Sequence, residues 1–158
     1  MCVLGTCMHF VLDAITAPAA VKVLGNIFPV NETSWEHMKM FWYPFLVAGI
    51  IVSIRQKDKG YIGGFVISGF VAMFLQLGLF AFYESFTGTS VLIFDIIFYM
   101  LDMICCIGLA LYLAKNEFIK KTWIIWVIAA VVITAVLIIY LTYHPGAGYV
   151  FLDDTMLE

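Results

Sequence analysis

The chain has 158 residues, 64% of them hydrophobic and 12% charged, with a formal net charge of −3. A soluble globular domain is about 45–50% apolar and about 25% charged. Together with a mean hydropathy of +1.04, these figures exclude a soluble domain, a disordered chain and a nucleic-acid-binding module, which needs a basic surface. They describe an integral membrane protein.

A helix needs about 20 apolar residues to cross a bilayer core. Five stretches answer to this in chain order, at residues 2–16, 38–54, 61–83, 91–114 and 123–142. The expected fold is therefore an all-α integral membrane protein. It is a bundle of about five transmembrane helices, the first one short, forming a single domain over residues 1–158. No Lys or Arg precedes the first stretch, which argues against a cleaved signal peptide; a start further upstream would explain its shortness. At about 100° per residue, Cys2, Thr6, His9, Asp13 and Thr16 share one of its faces.

The second stretch is entered through Pro29-Val30-Asn31-Glu32-Thr33-Ser34-Trp35-Glu36-His37-Met38-Lys39. Thr33 with Glu36 forms a capping box, and Asn31 is a competing N-cap. Either starts a helix whose first turns hold carboxylates, where the helix dipole favours negative charge. Glu32, Glu36, Lys39 and Tyr43 then share a face, and His37 lies about 100° from Glu36. One reading makes Glu32 and Glu36 caps, with Lys39 neutralising Glu36 at i,i+3. The other makes Glu32, Glu36 and His37 ligands for a divalent cation or members of a proton relay. Helix geometry keeps those three from one point, so His9, Asp13 or Asp95 would complete the set. Asn31-Glu32-Thr33 also matches a glycosylation acceptor, although capping explains it better. Pro44 predicts a kink in this helix.

The third stretch places Gln76 and Tyr83 on a common face, with Glu84 at its end, and its glycines Gly60, Gly63, Gly64, Gly69 and Gly78 predict close helix contacts. The fourth places Asp95, Tyr99, Asp102 and Cys106 on one face. The fifth is rich in Ile and Val with a single interior Thr134, and is expected to face lipid. A charge at the bilayer centre costs about 2.5–3.5 kcal/mol on insertion scales, and such residues face a bundle interior or a water cavity. Polar stripes on three stretches thus predict a bundle with a polar interior.

Basic residues set the expected orientation. Arg55, Lys57 and Lys59 fall between stretches two and three, and Lys115, Lys120 and Lys121 between four and five. These loops are expected to face the cytoplasm, giving a multi-pass cell-membrane protein with a cytoplasmic N-terminus and an extracytoplasmic C-terminus. The outer half then receives most of the acids, among them Asp13, Glu32, Glu36, Glu84 and Asp95. The four cysteines, at 2, 7, 105 and 106, form no Cys-x-x-Cys. No P-loop, dinucleotide fingerprint, nucleophile elbow or His-Glu-x-x-His is present.

The segment 29–39 resembles an uncharacterised family of small bacterial multi-span membrane proteins with a Pro-Val-Asn-Glu-Ser/Thr-x-Trp-Glu-His-x-Lys signature. The likeness extends to Gly5-Thr6 with His9-Phe10, and to Thr87-Gly88 followed by Asp95. It marks Asn31, Glu32, Trp35, Glu36, His37 and Lys39 as matching positions and implies no activity. The short N-terminus and the tail from His144 to Tyr149 depart from the family's pattern.

Three functions compete. The first is transport or binding of a cation, proton or small solute, with Glu32, Glu36, His37, Lys39, His9, Asp13, Asp95, Tyr99 and Asp102 forming the site, and with a homodimer expected to complete a path. The second is a metal-dependent intramembrane enzyme acting on a lipid or prenyl substrate. It would hold a divalent metal ion with His9, His37, Glu36 and Asp95. The third is a structural or accessory subunit, in which the polar stripes are interhelical glue. The lipid bilayer is the expected partner throughout; nucleic acid is not.

Overall fold

The computed structural model describes Ile27, residues 37–89 and residues 91–143. The predicted span at 2–16 and the capping segment at 29–36 lie outside the described residues. Within them stand four helices: α1 (Lys39–Gln56), α2 (Gly60–Thr87), α3 (Leu92–Leu113) and α4 (Glu117–Tyr143). Among the described residues there is no strand. Gly60–Thr87, Leu92–Leu113 and Glu117–Leu137 are long and apolar enough to cross a membrane. Helix α1 is shorter, at 18 residues, and carries Lys39 and Arg55 at its ends. The expected all-helical bundle is thus present, with three span-length helices among the described residues where sequence reading counted about five.

Short turns force consecutive helices to run antiparallel. The chain leaves α1 through Lys57, whose φ of 53° is left-handed and whose N–H bonds to the carbonyl of Ser53. Ser53 Oγ donates in turn to the carbonyl of Asp58 at 2.9 Å. Asp58 Oδ1 then accepts from the Gly60 N–H at 2.8 Å, which starts α2. At the next turn Asn116 Oδ1 accepts from the N–H groups of Phe118 at 2.9 Å and Ile119 at 3.3 Å. This N-cap explains why α4 begins at Glu117, six residues before the apolar stretch that hydropathy picks out. Replacing an N-cap Asn by Ala typically costs about 1 kcal/mol. Asn116→Ala is expected to lower the unfolding free energy in detergent by that amount, and equilibrium denaturation would read it.

Helix α2 is the hub, packing against each of the other three. Its glycines decide how closely. A Cβ on Gly64 would lie 2.5 Å from the Ala110 carbonyl oxygen and 2.9 Å from the Ala114 nitrogen, so α2 and α3 touch backbone to backbone. Gly69 receives Phe45 of α1, and Gly63 receives Ile119 and Trp123 of α4. Gly78, expected to serve in the same way, has open space beside it. The core so formed holds Phe41, Trp42, Phe45, Phe65, Val66, Met73, Met103 and Cys106. Large apolar side chains elsewhere point outward, including Ile97, Ile104, Ile125, Ile128, Val132 and Val136. That inversion of the soluble pattern is what a lipid bilayer solvates. Helix α4 is mostly outward-facing as expected, yet its Thr134 is fully buried.

Candidate functional site: the polar interior of α1, α2 and α3

The end of the bundle at the α2–α3 turn is organised by Tyr83. Its hydroxyl donates to Asp95 Oδ1 and accepts from the Val91 N–H at 3.3 Å. The ring stacks on Phe98 at 5.6 Å and meets Phe94 edge-on at 6.0 Å. Val91 is the extended residue before α3, and Asp95 stands in the first turn, where the helix dipole favours a carboxylate. One phenol therefore ties α2 to the head of α3. Tyr83→Phe would leave a carboxylate oxygen and a backbone N–H without this partner, a loss of about 2 kcal/mol; thermal unfolding in detergent would measure it.

The Tyr83–Asp95 bond fixes what faces what below it. Seven residues before Tyr83 stands Gln76, and seven after Asp95 stands Asp102. Seven residues are about two helical turns, so both fall back on the same faces and reach the same level. Twelve residues further along each helix come Gly64 and Ala114, which are in backbone contact. The register is therefore held at both ends. Gln76 is 0% exposed and Asp102 is 2% exposed. Asp102 Oδ1 accepts from the Cys106 thiol at 3.1 Å, one turn along the same helix. Both polar atoms of Gln76, together with Asp102 Oδ2, find no hydrogen-bonding partner among the described residues.

Helix α1 meets this level too. Seven residues before Phe45, which packs on Gly69, stands Met38, and seven after Gly69 stands Gln76. Lys39, the next residue, is 0% exposed. Phe41 touches Tyr99 of α3 edge-on at 4.9 Å. Four residues before each of these lie His37 and Asp95, about one turn up on two parallel helices. The interior between α1, α2 and α3 thus holds Lys39, Gln76, Tyr99 and Asp102 at neighbouring levels. Tyr83 and Asp95 close it toward the α2–α3 turn, beside the nearly buried Glu84.

Of the residues that the sequence proposed for binding, Lys39 and Asp102 are buried, and His37, Asp95 and Tyr99 are half-buried. His9, Asp13, Glu32 and Glu36 lie outside the described residues. Of the four proposed metal ligands, only His37 and Asp95 are described. Among the described residues no three His, Cys, Asp or Glu side chains stand close enough to hold a metal ion. Cys105 is exposed and Cys106 buried, both as free thiols.

A model for a family of unknown function, DUF6512, matches residues 1–156. The chain belongs to this family. No curated protein and no solved structure matches it. Membership agrees with the resemblance to an uncharacterised family, and it assigns no activity. Since the match runs nearly end to end, the helices and the polar interior between them all fall inside the region that the family shares.

Sequence reading singled out neither of the buried serines, Ser53 and Ser68, and set Thr134 on a stretch expected to face lipid. Ser68 and Thr134 are both 0% exposed, and their hydroxyls find no partner among the described residues. Ser68 lies eight residues before Gln76 on α2, close to the same face at about 100° per residue, and helical spacing could have found it. Thr134 gave no such signal, being surrounded in sequence by Ile, Val and Ala.

Proposed function

We propose that the chain is a single membrane domain whose outer half holds a polar site that binds, and most simply transports, a cation, a proton or a small cationic solute. One observation supports this reading above the others. Asp102 and Gln76 are buried in the interior of an apolar bundle, with polar atoms that no described residue satisfies. A buried polar atom without a partner costs about 1–3 kcal/mol. Intramembrane ionisable groups are retained where they handle an ion or solute. The sign follows from the local charges: Glu84, Asp95 and Asp102 outnumber the buried Lys39 among the described ionisable residues of this half. On the positive-inside rule the acidic end faces outward and the turns at residues 57–59 and 114–116 face the cytoplasm, so the N-terminus is cytoplasmic and the C-terminus extracytoplasmic. Glu32, Glu36, His9 and Asp13 extend the site toward the outer surface in this proposal. The signature at 29–39 is then the bacterial family's share of it.

The test is a thermal unfolding series in detergent with a panel of monovalent and divalent cations, wild type beside Asp102→Asn. One cation should raise the midpoint of the wild type and leave that of the variant unmoved. No cation separating the two proteins would count against a cation site. His37 standing level with Asp95 favours one rival, the metal-dependent enzyme. Stoichiometric metal in purified protein, lost in both Glu36→Gln and His37→Ala, would put that rival first.

A further inference from the structure

We propose that the end of the bundle opposite the polar interior is a binding surface for anionic phospholipid headgroups. Two turns make this end, and they are packed as one surface. A Cβ on Gly60 would lie 2.5 Å from the carbonyl oxygen of Ala114 and 2.6 Å from Cγ of Lys120. Lys120 Nζ reaches Asp58 at 3.4 Å and Glu117 at 3.3 Å, so a lysine of the second turn closes onto an acid of the first.

That closure decides the charge of the surface. Among the described residues Asp58 and Glu117 are the acids at this end, and both are engaged by Lys120. Asp58 also has its other oxygen on the Gly60 N–H. Arg55, Lys57, Lys59, Lys115 and Lys121 all remain exposed. Lys59 stands over the Trp123 ring at 5.1 Å. The other four have no carboxylate partner among the described residues. Five exposed cations over one helical-bundle end form a field that attracts phosphate.

The surroundings select a lipid over a free anion. Within three residues of the cations in sequence stand Ile54, Tyr112 and Phe118, which are 71%, 73% and 63% exposed. Exposed apolar and aromatic side chains within three residues of the charges give the acyl chains a surface to lie on and place an aromatic belt at headgroup depth. A free phosphate has no use for that collar. The two helix N-termini at this end, of α2 and α4, are already capped by Asp58 and Asn116, so the recognition rests on side-chain cations.

The experiment uses the full chain, exchanged into detergent with phosphatidylglycerol or phosphatidylcholine and read by native mass spectrometry. Wild type is compared with the neutralised variant Arg55→Gln/Lys57→Gln/Lys115→Gln/Lys121→Gln and with the charge-keeping variant Lys57→Arg/Lys115→Arg/Lys121→Arg. Wild type and the Arg variant should retain phosphatidylglycerol and release phosphatidylcholine. The neutralised variant should lose phosphatidylglycerol affinity by about fivefold per charge removed. If its far-UV spectrum shows that it has not folded, Lys115→Gln/Lys121→Gln serves instead, with a proportionately smaller loss. Equal retention of phosphatidylglycerol by the folded neutralised protein would overturn the proposal. So would complete displacement of the lipid by millimolar inorganic phosphate, which would identify a free-anion site.

Discussion

Gly64→Ala is expected to destabilise the bundle by about 3 kcal/mol, the upper end of the usual cost of overpacking. The added Cβ would meet three backbone atoms, at 2.5 Å (Ala110 O), 2.9 Å (Ala114 N) and 3.3 Å (Ala114 Cα). Backbone cannot rotate away as a side chain does, so α2 and α3 must separate along their length. In a bilayer, where lipid is as apolar as the helices, close packing is a principal force holding them together. The paired control is Gly78→Ala. Nothing stands within 4 Å of its Cβ, and Ala exceeds Gly in helix propensity by up to about 1 kcal/mol, so this variant should be as stable as wild type or more so. Unfolding of both variants in mixed micelles checks the pair. Equal stability of the two would mean that α2 and α3 are not in backbone contact.

The second large effect concerns Asp102. Asp102→Val is expected to stabilise the fold by about 1–3 kcal/mol while abolishing function. An apolar residue of comparable size removes a buried carboxyl whose Oδ2 has no partner among the described residues, and replacing buried polar groups with well-packed apolar ones is often neutral or stabilising. The partner that Asp102 would lose is the thiol of Cys106 at 3.1 Å, a weak donor. The structural-subunit reading predicts the opposite sign. If the stripe on α3 is interhelical glue, removing the carboxyl should cost the average of about 0.6 kcal/mol for such bonds. The direction of the change in unfolding midpoint therefore separates the two readings before any ligand is known.

The α3 stripe was legible in the sequence because α-helical spacing alone places Asp95, Tyr99, Asp102 and Cys106 together, and all four are buried or half-buried. Most of the glycine contacts were legible for the same reason. Gly78 was not, because a glycine's spacing says nothing of whether a neighbouring helix is near. The start of α4 was missed because hydropathy begins at Trp123, whereas the helix begins where Asn116 caps it. The common level of Gln76 and Asp102 on α2 and α3 lay beyond sequence reading altogether. It depends on the register of two helices, and that register is set by the Tyr83–Asp95 bond across the turn and by the Gly64 contact below it. Periodicity reports which face a residue occupies, and only tertiary contacts report its level against a neighbour.

The most direct measurement of the central claim is flux in proteoliposomes. Wild type, Asp102→Asn and Asp95→Asn would be reconstituted at equal density and followed with a trapped pH dye and with ion-selective electrodes for a panel of cations. The proposed site predicts protein-dependent movement of one of these ions, reduced to the level of empty vesicles in Asp102→Asn and weakened in Asp95→Asn. Flux in the wild type that both variants retain, or no flux of any ion or proton in folded wild type, would contradict it.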